Sequence, residues 1–248
     1  AATLVYAVLA IVSRSMSDST ARLMLLVAWL LHLSGRRTGL ACRDGLFLDQ
    51  RCVDASDSAH WEAGQRILIN RSVQAAVFEN SSEMILGEGL AYDKCTVGVV
   101  TDVSWQDHLT DFDILDAEQT YKVARTQIDV VLPSGTAVLN ADDAQAVEMA
   151  ALCDGKVIFY GLNAAHAAIA AQRDAGERAV FLRNEAIVMA QGLDDVALLP
   201  LSSLKPAKAS KPEMVMAAVA AAWALDIPVE LIAAGLRTFE SSHKKTPY

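Results

Sequence analysis

Val12-Ser-Arg-Ser-Met-Ser-Asp-Ser-Thr-Ala-Arg-Leu23 is a polar turn between two apolar runs, Leu4 to Val12 before it and Leu23 to Leu33 after it. The first run reads as a buried strand, the second as a buried helix. Strand, polar turn, helix is the layout of a phosphate-binding loop. Such a loop wraps phosphates in backbone N–H groups, which calls for glycines, and a lysine meets their charge. Here no glycine stands between Val12 and Leu33, and Ser17 holds about the place of the lysine. Ser19 or Thr20 can cap the helix, and Gly35 ends it. The stretch is therefore a nucleotide site, a former one, or an ordinary turn.

Beyond Gly35 the pattern alternates. Gly39–Cys42 and Leu46–Leu48 read as a hairpin around Asp44-Gly45, a type I′ signal. Asp57–Asn70 reads as a helix and Val73–Phe78 as a strand ending on Glu79. Thr96–Thr101 is a continuous β-rich run, the mark of a central parallel strand, and Asp107-His108 follow it. Ala117–Val131 is helical, Pro133-Ser-Gly135 a turn, and Thr136–Leu139 a strand ending in Asn140-Ala-Asp-Asp143. A helix (Ala144–Leu152), a strand (Val157–Tyr160), a hairpin around Asn184-Glu185 and two helices (Glu213–Leu225, Val229–Phe239) complete the chain. The alternation predicts an α/β fold, a doubly wound, mostly parallel sheet flanked by helices. In such sheets ligands bind at the carboxyl ends of the strands, where Ser13–Ser19, Glu79, Asp107-His108 and Asn140–Asp143 all fall.

The composition narrows the partners. The 248 residues are 53% apolar and 21% charged, which suits a globular chain with a full core. A net charge of −9 argues against nucleic acid or an anionic membrane as main partner. Four scattered cysteines form no CxxC and no Cys/His cluster, which argues against zinc and for free thiols in a reducing cytoplasm. Neither apolar run reaches the roughly 18 residues needed to span a bilayer. Leu4–Val12 lacks the basic flank and cleavage site of a signal peptide. The chain opens on strand-like sequence, as a piece of a longer protein would. Apolar residues near Ala1–Tyr6, and Trp223 or Leu236 on the last helices, are then expected at the surface.

Candidate chemistry follows from the strand ends. Glu79 and His108 could hold Mg²⁺, the Glu directly and the His directly or through water; taken alone, each reads first as a surface or capping residue. Asp142 and Asp143 sit between a strand and a helix. The residues alone favour a helix cap there, with contacts to a nucleotide's base or ribose as the other reading. Ser17 lacks the Gly-x-Ser-x-Gly setting of a nucleophile.

Val-Phe-Glu79, Ile85-Leu-Gly-Glu-Gly-Leu90, Tyr92-Asp-Lys-Cys95, Val99-Val-Thr101, Asp107-His-Leu109 and Ala137-Val-Leu-Asn-Ala-Asp-Asp143 follow one family's order and spacing. They resemble the Mur-ligase-like domain of cyanophycin synthetases, over nearly the whole chain. The resemblance implies a P-loop-type central domain over 1–240, with a tail at 241–248; the family's C-terminal lid domain, a departure here, is expected to be absent. It implies an ATP- and Mg-dependent amide ligase, adding arginine to the side-chain carboxylates of poly-aspartate through an acyl phosphate. Glu79 and His108 would be Mg²⁺ ligands, Asn140 and Asp143 adenosine contacts, and Ser17, Asp18 and Ser19 would stand in the phosphate loop.

The departures from the family cluster in one place. Its Gly-Thr-Asn-Gly-Lys-Thr-Thr loop is Ser13-Arg-Ser-Met-Ser-Asp-Ser19 here, without either glycine or the lysine. The Mg-binding Thr position is Asp18. Its Thr-Ala-Arg-Gly-Gly is Asn80-Ser-Ser-Glu-Met84, and a helix lysine falls at Ala124. We expect the fold to be retained and the ATP site lost. The domain would then be a structural and oligomerisation module beside other domains of a cyanophycin synthetase-type chain, and a homo-oligomer. The alternative is a working ligase with an atypical nucleotide loop.

Overall fold

The structure, a computed structural model, describes residues 18–103, 107–204 and 211–239, with side chains for all of these except 18–20, 107 and 108. The strand expected to end at Val12 and the loop position Ser17 lie outside the described residues.

Helix α1 (Asp18–Leu33) is apolar nearly all round and buried accordingly: Leu23, Met24, Val27, Leu30 and Leu31 are all 1% exposed or less. Its partner α7 (Pro212–Ala224) buries every residue from Val215 to Ala222. Small alanine side chains let that helix lie close against both α1 and the sheet.

The sheet beneath them has six strands in the order β10-β9-β8-β7-β6-β5. β5 (Cys95–Val100), β6 (Val131–Asn140), β7 (Lys156–Gly161) and β8 (Arg178–Arg183) run parallel. β9 (Ala186–Gln191) and β10 (Asp194–Pro200) close it antiparallel. The β8–β9 turn takes the left-handed conformation at both Asn184 (φ 50) and Glu185 (φ 57), as the expected hairpin requires.

Alternate side chains of the parallel strands serve two cores. Val97, Val99 and Val138 face α1, α7 and α8 (Val229–Thr238). Val100, Ala137, Leu139 and Phe159 face the other side, with Ala124 and Ile128 of α4 (Ala117–Asp129) and Ile169 of α6 (Ala167–Asp174). Helices on both faces of a mostly parallel sheet are the expected doubly wound arrangement.

Four expectations are corrected. First, β4 (Ala75–Phe78) pairs with β1 (Thr38–Cys42) in a separate sheet ordered β3-β2-β1-β4, so the strands ending at Phe78, Val100 and Leu139 do not share the one sheet expected of them. The two sheets still share cores, since Leu40 and Val77 cluster with Val97 and Val138. That sheet also contains β3 (Arg51–Asp54), which the polar sequence hid. Second, the turn between β1 and β2 (Gly45–Leu48) is Arg43-Asp44, closed by the pair Cys42↔Gly45. The positive φ falls on Gly45 (137°), so the turn is not type I′. Third, Pro133-Ser-Gly135 does not interrupt the chain but is absorbed into β6 as an irregularity, between the pairs Cys95↔Val131 and Val97↔Thr136. Fourth, Leu236 is buried rather than exposed (2%), because α8 packs on α1; Trp223 is half-buried under the Arg178 guanidinium.

Candidate functional site

Loops leaving β5, β6 and β7 carry the polar groups of the sheet's carboxyl edge. Asn140 closes β6. Its amide donates to the Thr101 carbonyl (2.8 Å), and its own carbonyl accepts from Asp142 N–H (3.0 Å). This stitches the β5 and β6 exits together. Asp143 caps α5 (Ala144–Glu148): Oδ1 accepts from Gln145 and Ala146 N–H, while Oδ2 accepts from Val103 N–H at 2.9 Å. Asp142 accepts from Leu162 N–H beyond β7 (2.8 Å).

Glu79 follows β4 and is 8% exposed. Its Oε2 accepts from Arg43 N–H in the β1–β2 turn (2.8 Å). Burial pushes its carboxyl above the usual carboxylate range; the Arg43 N–H and charge pull it back in part, and Asp57 and Asp44 add to the rise. The Cys42 thiol is raised by burial and then by the Glu79 charge. Asn80, fully buried, donates to the Tyr92 hydroxyl (2.7 Å) and to Gln127 (3.3 Å), and Tyr92 donates to Gln127 (2.8 Å).

The structure thus brings Asn140 and Asp143 together at one corner and sets Glu79 against the β1–β2 turn. His108 lies in a 3₁₀ turn, Asp107–Phe112, that follows β5. Asp18 opens α1 with Ser19 in its first turn. Ser17 lies outside the described residues. Sequence reasoning passed over Asn80, Tyr160 and Glu213; Tyr160 was legible, as a polar residue ending a strand like those already singled out.

A Mg²⁺–triphosphate group asks for free oxygen donors around the metal and N–H groups or cations around the phosphates. Asn140 and Asp143 are engaged by backbone groups of the fold, while Glu79 engages one carboxylate oxygen, Oε2, with Arg43 N–H; the phosphate-loop stretch 13–17 and the His108 side chain lie outside the described residues. Among the described residues no three His, Cys, Asp or Glu side chains are grouped to hold a metal ion. Nor, among them, is any helix long and apolar enough to cross a membrane.

Comparison with known proteins supplies the context. The Mur ligase middle domain profile matches residues 26–190. The chain is 32% identical to a cyanophycin synthetase from a Synechocystis strain, over 97% of the chain and 28% of that protein. A second cyanophycin synthetase, from Crocosphaera subtropica, is 31% identical over 90% of the chain and 26% of its own length. The chain therefore spans about a quarter of the length of these relatives. In architecture it is similar to a UDP-N-acetylmuramoyl-L-alanyl-D-glutamate–2,6-diaminopimelate ligase (TM-score 0.65, 15% identity), which covers 96% of the chain with 47% of its own.

Proposed function

Because the chain belongs to the Mur ligase middle-domain family, we propose that it is the Mur-ligase-like domain of a cyanophycin synthetase-type protein whose own ATP site has been lost. It acts as a structural and self-associating module for the other domains of that protein. The family reaction in such proteins, by resemblance, is ATP-dependent addition of arginine to poly-aspartate side chains.

One observation carries the reading: Ser13-Arg-Ser-Met-Ser-Asp-Ser19 stands where a phosphate loop would supply two glycines, a lysine and a Mg-binding hydroxyl. In sequence, Met16 takes the place of the family's second glycine, and Asp18 takes the place of its Mg-binding Thr, with a negative charge. Phosphoryl transfer depends on positioning and charge stabilisation, and each such contact is typically worth about 3 kcal/mol of barrier. The internal engagement of Glu79, Asn140 and Asp143 supports the same reading, since the groups that would meet metal and adenosine already serve the fold.

Calorimetric titration with ATP, with and without Mg²⁺, tests it. The expected dissociation constant is about millimolar or weaker. If Glu79 and His108 still form a metal site, replacing Ser13→Gly, Met16→Gly, Ser17→Lys and Asp18→Thr together should restore ATP binding, with ligation still absent. The rival, a working ligase with an unusual loop, is favoured by the survival of Glu79, His108, Asn140 and Asp143. It wins if the unmodified chain binds ATP micromolar with Mg²⁺ and forms amide product and ADP, abolished by Glu79→Ala.

A further inference from the structure

Two free thiols meet at the amino edge of the six-stranded sheet, the end away from Asn140 and Asp143. Cys95 opens β5 and is 0% exposed. Its Sγ accepts from the Gln127 amide of α4 at 3.5 Å. Cys153 follows the 3₁₀ turn Met149–Leu152 and is half-buried; its thiol donates to the Lys156 carbonyl at the start of β7 (3.7 Å). Cys95 and Cys153 share one apolar cluster with Val131.

The backbone explains how residues 58 apart in sequence come together. A Cβ added at Gly135 would run into the Thr96 carbonyl, and one at Gly155 into the Gly135 carbonyl. The start of β5, the irregularity in β6 and the turn after Cys153 therefore stack with no side chain between them. After burial, the charge of Cys153 is the largest influence on the Cys95 thiol, and the Lys94 ammonium acts on it in the opposite sense. A cleft of about 430 Å³ reaches this place from outside. Gln65 and Leu68 of α2 (Trp61–Leu68) line one wall, with Lys94, Cys95, Thr96 and Leu132 opposite.

The chemistry of the donors narrows the guest. Burial holds both thiols in the protonated form. A ligand must therefore prefer sulfur strongly enough to displace protons. Magnesium and calcium seek oxygen. Zinc asks for four ligands, and among the described residues no third His, Cys, Asp or Glu joins this pair. A soft monovalent ion of the copper(I) class selects thiolate sulfur and is satisfied by two sulfurs in line. Two thiolates around one such ion leave a single negative charge, beside the Lys94 ammonium.

We propose that Cys95 and Cys153 bind one soft monovalent metal ion, admitted through the cleft between α2 and the start of β5. Two S–H bonds break, two sulfur–metal bonds form and two protons leave to solvent; no electron is transferred. The site uses none of the groups of the nucleotide corner and holds whether or not ATP binds.

The reduced full chain is titrated calorimetrically with Ag(I), a redox-stable probe, in weakly buffered, chloride-free solution, and proton release is followed in parallel. The first equivalent should bind saturably and release two protons. Cys95→Ala and Cys153→Ser should each weaken it by about a hundredfold or more, since loss of even an outer-shell partner commonly costs about 10–100-fold in metal affinity. Cys52→Ser, which alters a thiol on a different sheet, should leave the first equivalent unchanged. Far-UV circular dichroism checks that each variant folds. Cys153→Ser, at a half-buried position, carries the test should Cys95→Ala not fold. The proposal is overturned by a first equivalent that releases fewer than two protons, that keeps its affinity in folded Cys153→Ser, or that is lost in Cys52→Ser.

Discussion

At Asp143 a single carboxylate serves three backbone N–H groups, two at the start of α5 and one, Val103, in the loop after β5. Removing it strips a helix cap and leaves a partly buried N–H without an acceptor. Asp143→Ala should therefore lower stability by about 2 kcal/mol, read from urea unfolding; Asp143→Asn should lose less. An unchanged midpoint for the alanine variant would mean that the side chain is free for a ligand. A second residue-scale effect is alkaline. Burial pushes the Cys95 thiol up to about 12 from 9.0, and raises Cys42, Tyr92 and Tyr160 as well. In each case the fold favours the neutral, protonated form. That stability is complete below the unfolded-state values, 9.0 for thiols and 10.0 for phenols, and is lost as pH rises through them toward the folded-state values. The urea midpoint should hold between about pH 7 and 8.5 and fall steeply by about pH 11; a flat profile across that range would contradict the burial of these groups.

Among the elements, α1 is the hub on one face of the sheet. It meets α7 along their length and α8 at a close crossing, where Gly235 lies against Leu30 and Leu33 and Trp29 Nε1 donates to the Gly235 carbonyl (3.3 Å). A Cβ added at Gly235 would run into the Leu30 side chain. Gly235→Val should thus destabilise by about 1–3 kcal/mol through overpacking, and should do so without touching the carboxyl edge of the sheet. Leu30→Ala, which empties a fully buried position in the same seam, should cost about 2–5 kcal/mol. Combining the two should give less than the sum, because the alanine makes room for the valine. Thermal unfolding of the four proteins checks this; strict additivity would mean that α8 does not rest on Leu30.

For the whole molecule, the structural-module proposal predicts self-association. Light scattering after size exclusion should give a mass above the 26.6 kDa of one chain. The burial of Leu236 removes one surface once expected to drive this. Leu193 (85% exposed) and Val196 (47%) remain on the β9–β10 corner, and Ile69 (75%) after α2 (Trp61–Leu68). Leu193→Lys should shift the mass toward the monomer if that corner is the contact; a monomeric parent chain at every concentration would count against the module reading.

The alternation of strands and helices, the burial of β5, the β8–β9 hairpin and the capping role of Asp143 were legible in the sequence, because each is written locally; yet β5, read from its apolar run as a central strand, is the edge strand of the six-stranded sheet. Periodicity sets burial, Asn-Glu between two apolar runs sets a turn, and an Asp before a helix sets a cap. The departures at Ser13–Ser19 are likewise facts of sequence alone. Partners distant along the chain were not legible. That β4 bonds to β1 in a separate sheet, that Pro133–Gly135 is absorbed into a strand, and that α8 packs on α1 and buries Leu236 all depend on which surfaces meet, and apolar pattern is silent on that choice. Only the tertiary structure set Glu79 against the β1–β2 turn and brought Cys95 and Cys153 from separate elements into one cluster, because charges and thiols acquire meaning from their neighbours in space.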